Sequence, residues 1–174
     1  MKKSKKEIIT LPNERIISRI FLIRGKKVMI DRDLANLYGV ETRSLNQAVR
    51  RNIDRFPVDF MFQLNQEETN IWKSQIVISV ADKKGLRKSP LVFTEQGVAM
   101  LSSVLNSKKA IMVNIQIVRT FTQLRELLST NKDLREKIEN IEKKYDKQLR
   151  EIFEAIKYLL MEETKTKEPI GFSI

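Results

Sequence analysis

Apolar positions recur along this chain with two periods, and the switch between them marks out its elements. Phe21–Arg24 and Lys27–Ile30 flank Gly25 and Lys26, a pattern that predicts a small β-hairpin. From Asp31 the period becomes helical. Leu34, Leu37 and Tyr38 share one face, Asp31 stands where a cap is expected, and Gly39 supplies the positive φ that ends a helix. A second short helix follows, with Thr42 as its expected cap and Leu45, Ala48, Val49 and Ile53 as its apolar side. Phe60–Leu64 reads as a strand with Phe60, Phe62 and Leu64 on one side. Asn65 and Glu68 form a capping-box pattern that opens a helix through Trp72, a core residue, towards Ser74. Thr94–Gly97 starts another helix reaching about Leu105, and Ser107 caps a longer one.

Two short helices joined by a tight turn make a helix-turn-helix pattern. At about 100° per residue, Arg43, Gln47 and Arg50 point away from the apolar side of the second helix, with Asn46 and Arg51 on its flanks. Arg, Gln and Asn are the side chains that bond to guanine and adenine edges in the major groove. We therefore take Arg43, Asn46, Gln47 and Arg50 as candidate base readers and Arg51 as a candidate phosphate contact. The competing reading of this segment is a solvated amphipathic helix in an ordinary helical hairpin.

Between the predicted helices lie two β-rich runs, Ile76–Val80 and Leu91–Phe93. The linker between them turns at Gly85 and carries Lys83, Lys84, Arg87 and Lys88. This predicts a basic hairpin, or wing, able to reach phosphates or the minor groove. The plainer alternative is a charged turn kept soluble by its lysines.

The last third carries a different signal. Leu124, Leu127, Asn131, Leu134, Ile138, Ile141, Tyr145, Gln148, Ile152, Ala155 and Leu159 follow one another at spacings of three and four. That is an a/d seam, and an Asn at an a position favours two strands in register. It predicts a homodimer through a parallel coiled coil, with one helix of roughly 50 Å if continuous over these residues.

Charge sharpens the division. The chain has 33 Lys and Arg against 22 Asp and Glu. Residues 1–60 hold 14 basic and 7 acidic groups, residues 61–130 hold 9 and 5, and residues 131–174 hold 10 of each. The whole excess lies on the part that carries the helix pair, which points to a polyanion as partner. There is no cysteine and no histidine, which removes disulfides, thiolate metal sites, Ser-His-Asp triads and most zinc sites. No cofactor is expected. The basic start, Lys2 to Lys6, is followed by no apolar stretch of signal-peptide length, and no run reaches membrane-span length. The expected location is the cytoplasm, on the nucleoid, with no membrane partner.

The segments at 23–64, 93–107 and 110–121, together with 144–160 and Pro169–Phe172, closely resemble the phage and prophage ORF-six N-terminal domain family, relatives of the KilA-N and Bro-N domains. That resemblance covers the chain from about Ile16 to Phe172. It implies a DNA-binding domain of mobile-element origin, in the company of phage regulators and antirepressors. By resemblance, Asp31 to Ile53 match the helical core of the family and Phe93 to Leu105 its second motif. The chain departs from the pattern in the wing, where Lys88 and Leu91 replace expected aromatics.

The expectation is therefore an α+β, winged-helix-like domain with small β-hairpins, followed by a long C-terminal coiled-coil helix. Its parts are a basic arm over 1–15, the DNA-binding domain over 16–122, a coiled coil over 123–161 and a tail over 162–174. The expected function is duplex DNA binding by a transcriptional regulator or antirepressor. One rival is a protein-interaction module that binds a phage repressor, with Gly97, Val98, Met100 and Leu101 as an interface instead of a core helix. The other is a metal-dependent nuclease using Asp31 and Asp33 or Asp59, Glu67, Glu68 and Lys73. Their spacing matches no such motif, and helix capping accounts for the first pair, so no enzyme is expected.

Overall fold

The computed structural model describes residues 12–75, 88–131, 136 and 146–166. A short helix α1 (Asn13–Ile17) leads into strands β1 (Ile20–Ile23) and β2 (Lys26–Ile30). Ile23 pairs with Lys26, so the two-residue turn is Arg24–Gly25, one position earlier than expected. Both turn residues have positive φ, 53° and 68°, which matches the twist of a tight hairpin. Helices α2 (Asp31–Tyr38) and α3 (Thr42–Arg51) follow, then a single 3₁₀ turn (Ile53–Arg55), β3 (Met61–Gln63) and α4 (Gln66–Gln75). After the segment 76–87 come β4 (Leu91–Thr94), α5 (Glu95–Val104), α6 (Lys108–Thr130) and α7 (Asp146–Thr166).

The four strands form one antiparallel sheet in the order β1-β2-β4-β3. Alternation along the strands sends side chains to opposite faces, and each face has its own core. Ile20, Met29 and Phe93 align across the sheet and meet the helices, where they join Leu34, Leu45, Val49, Leu101, Ile117 and Phe121. Phe21, Val28, Ile30, Val92 and Phe62 face the other way and pack with Leu64 and Trp72. Trp72 is 4% exposed, so the expected core role holds. β4 is an inner strand, as is β2, and is paired with β2 on one edge and β3 on the other. Leu91–Phe93 is thus not one arm of a free hairpin; its expected partner, 76–80, lies outside the described residues.

Several local signals work as read. The Glu68 amide donates to Asn65 Oδ1 at 2.8 Å while the Asn65 amide donates to Glu68 Oε2 at 2.9 Å, a reciprocal capping box. Gly39 ends α2 at φ 72°. Ser107 Oγ accepts the Ala110 amide at 3.0 Å, and Thr94 Oγ1 accepts that of Gly97. Gly97 is buried, and a Cβ there would meet the main-chain oxygen of Phe60 at 2.2 Å, so this close approach requires glycine. Val98 and Leu101 are fully buried and Met100 packs against them, so this helix serves the core and not an interface. Tyr38 hydroxyl donates to Asn114 Oδ1, whose Nδ2 donates to the Val98 carbonyl at 2.9 Å; this buried chain ties α2, α6 and α5 together.

The C-terminal part departs from expectation. α6 runs unbroken through the expected boundary at 122–123, with Ile117, Phe121 and Leu124 fully buried in the domain core. It ends at Thr130, and Asn131 has non-helical torsions of φ −102° and ψ 84°. One continuous helix from Leu124 to Leu159 therefore does not form. Helix α7 packs back against α1 and α6, burying Phe153, Ile156, Lys157 and Leu160. That face is offset by one position from the expected seam. Leu124 is spent on the chain's own core, Leu127 packs at its edge, Ile152 is half-buried, and Ala155 and Leu159 are exposed. Leu134, Ile138, Ile141 and Tyr145, and the side chain of Gln148, lie outside the described residues.

Candidate nucleic-acid interface

α3 is held by Leu45 and Val49, both fully buried one turn apart, against α2 and α5. This leaves Arg43, Gln47, Arg50 and Arg51 exposed, and among the described residues their side chains have no hydrogen-bond or ion-pair partner. The structure thus brings together four of the five positions expected on this helix. No side chain caps its first turn, the N-cap residue is Glu41 instead of Thr42, and no acidic residue lies within that turn.

Asn46 is the exception. It is half-buried, and its Nδ2 donates to Asp31 Oδ2 at 2.8 Å. A side chain aimed into the molecule at a carboxylate is not aimed at a base edge, so Asn46 is corrected from reader to anchor. Asp31 is corrected with it. The N-cap of α2 is Ile30, and Asp31 is 5% exposed and acts as a hub. Its Oδ1 accepts the Arg32 amide at 2.7 Å, and its Oδ2 accepts the Leu91 amide at 3.3 Å as well as Asn46. One carboxylate therefore joins α2, α3 and the start of β4. Burial pushes its pKa up, while bonds from Asn46, Leu91 and Arg32 pull it back. Asp33 has a buried Oδ2 without a hydrogen-bond partner among the described residues. Burial pushes this carboxyl up to about 6, against the pull of Arg19 and Arg32.

Beside α3 runs an open groove of about 500 Å³. Asn46, Arg50 and Ile53 line it from α3 and the turn beyond, and Met61, Gln63 and Lys88 line it from β3 and the approach to β4. Arg32 also reaches it, so three cations stand around the single carboxylate of Asp31. Lys88 is exposed and takes its expected place next to α3. Lys83, Lys84 and Arg87 lie outside the described residues, as do Lys2 to Lys6.

Ile53 was expected on the buried side of α3 and is 51% exposed. The helix stops at Arg51, Asn52 takes φ −126° and ψ 34°, and the 3₁₀ turn carries Ile53 outward. Apolar spacing alone could not find this, because it assumes the helix continues. Glu68 is clamped by Arg24 at 2.7 and 3.0 Å. Among the described residues no three acidic groups stand close enough to hold a metal ion.

The sheet, the helix pair and the groove all fall within the stretch 18–104, half of the chain, which matches the family model of the ORF6N domain. The chain belongs to the ORF6N family. The matched ORF6N region closes at the last residue of α5, so α1, α6 and α7 lie outside the matched stretch although α6 shares its core. No curated protein and no solved structure matches the chain. Among the described residues, no helix of this ORF6N protein is long and apolar enough to cross a membrane.

Proposed function

We propose that this ORF6N protein is a non-enzymatic DNA-binding regulator of phage or prophage origin, acting on the nucleoid. It reads duplex DNA with the outer face of α3. The observation that carries this reading is the unpartnered, exposed set Arg43, Gln47, Arg50 and Arg51 on a helix whose other side buries Leu45 and Val49. Long cationic and amide side chains on a rigid helix have the reach and the donors that base edges require. The uncapped first turn of α3 adds main-chain donors for a phosphate, and Lys88 with Arg32 supplies charge beside it.

Phosphate contacts supply most of the affinity. If about six Lys and Arg meet phosphates, log affinity falls against log salt with a slope of about −5. Titration of a random duplex from low to moderate salt tests this, and a flat response rules the mechanism out. A second reading, a repressor-binding antirepressor, draws on the exposed apolar residues Ile111, Met112 and Ile115 of α6. It requires no duplex binding, so the same titration separates the two. A second copy of the chain completes the proposal. The outward face of α7, with Ala155 and Leu159 exposed and Ile152 at its margin, is the part of the expected seam left for it.

A further inference from the structure

We propose that Ile53 is a thymine reader: it packs against the 5-methyl group of a thymine lying next to the base pair that Arg50 addresses. This deepens the DNA-binding reading and rests on it. Three observations carry it. Ile53 is half-exposed although the fold offers apolar surface close by, in Met61 of the same groove. It lines that groove together with Arg50, three residues earlier, so the pair presents a cation and an apolar tip to one strip of surface. The surroundings are cationic, with Arg32 and Lys88 close at hand, so the occupant is a polyanion that also offers apolar groups. In the major groove only thymine offers a methyl to such a side chain.

Arg50 and Ile53 stand three residues apart on either side of the non-helical Asn52 and line the same groove. Arg50 and Ile53 therefore address neighbouring steps, one by hydrogen bonds and the other by apolar contact. The preferred site holds a guanine adjacent to a thymine.

The test is binding of the full chain to a duplex selected from a random pool, with each thymine replaced in turn by deoxyuridine, which lacks the methyl. One such replacement should weaken the unmodified protein about fourfold, the worth of one buried methyl group. The same replacement should leave Ile53→Ala unchanged, while Ile53→Val keeps part of the sensitivity. Insensitivity of the unmodified protein to every replacement overturns the proposal and leaves DNA binding intact. A sensitivity that persists in Ile53→Ala assigns the methyl to another residue and equally overturns it. Failure to select any duplex sinks the DNA-binding reading and this one together.

Discussion

The Nζ of Lys157 donates to the main-chain carbonyl of Ile20 at 2.8 Å, joining the last described helix to the first strand. The ammonium also meets Glu154 at 3.0 Å and stands over the rings of Phe21 and Phe153 at 5.4 and 5.9 Å. Few lysines are 2% exposed, and those that are need partners.

Burial lowers the Lys157 pKa, with Glu154 opposing. In the window below the ordinary lysine value, the unfolded chain holds a proton that the folded chain has released. Stability therefore rises with pH there. Urea midpoints at pH 8 and pH 10 for the unmodified protein and Lys157→Met should move apart in favour of the unmodified protein at the higher pH. Lys27, also lowered by burial, is common to both and cancels.

Asp33 runs the other way. Its folded pKa is raised to about 6, so the folded chain holds the extra proton between the ordinary carboxylate range and about 6. Stability falls as pH rises through that window. Asp33→Asn should stabilise at pH 7.5 by up to about 3 kcal/mol, a shift of about two pKa units at roughly 1.4 each, and the gain should vanish below about pH 4. Thermal melts across that range decide it; a gain that is constant with pH would refer the effect to another cause.

Asn46 and Arg50 separate folding from recognition. Asn46→Ala leaves Asp31 short of a donor and should cost about 1–3 kcal/mol of stability. Arg50→Ala should leave the melting curve in place and cost about 1–3 kcal/mol at a specific site. Denaturation and binding measured on both variants check the division, and a stable Asn46→Ala would return Asn46 to the readers.

Gly97→Ala tests the close approach of α5 to Phe60. Helix propensity alone favours alanine by about 1 kcal/mol, but the added Cβ meets backbone at 2.2 Å. A loss of about 3 kcal/mol is expected, read as a drop in urea midpoint; any gain would show that the turn at Phe60 yields easily.

For α7, Leu159→Lys should abolish self-association in sedimentation while leaving the fold intact, because Leu159 is 49% exposed. Leu160→Lys, at 6% exposure, should unfold the docked helix instead. A monomer at micromolar concentration for the unmodified protein would end the dimer.

The sequence made local structure legible because the signals are local. The helix pair, its Gly39 stop, the Asn65–Glu68 box and the Ser107 cap each depend on residues within one turn of each other. What could not be read was long-range. Ile30 and Val92 share a register that no window of the chain contains, so the inner position of β4 was missed. In α7 the apolar residues populate two adjacent faces. Periodicity identified 152, 155 and 159, but the partner surface on α1 and α6 takes 153, 156 and 160. At the candidate site, Arg43, Gln47, Arg50 and Arg51 were legible from helical geometry. Asn46 was not, because its partner Asp31 lies 15 residues away.

The inner placement of β4 has a bearing on synthesis. Strands β2 and β3 are edge to edge with β4 and not with each other, so residues translated early wait for a strand that leaves the ribosome much later. Until Leu91 emerges, the Asp31 carboxylate lacks one of its donors, and nascent chains halted before that point hold α3 without its tie to β4. Completion of the sheet beneath the helix pair is thereby deferred until about half of the polypeptide has been made.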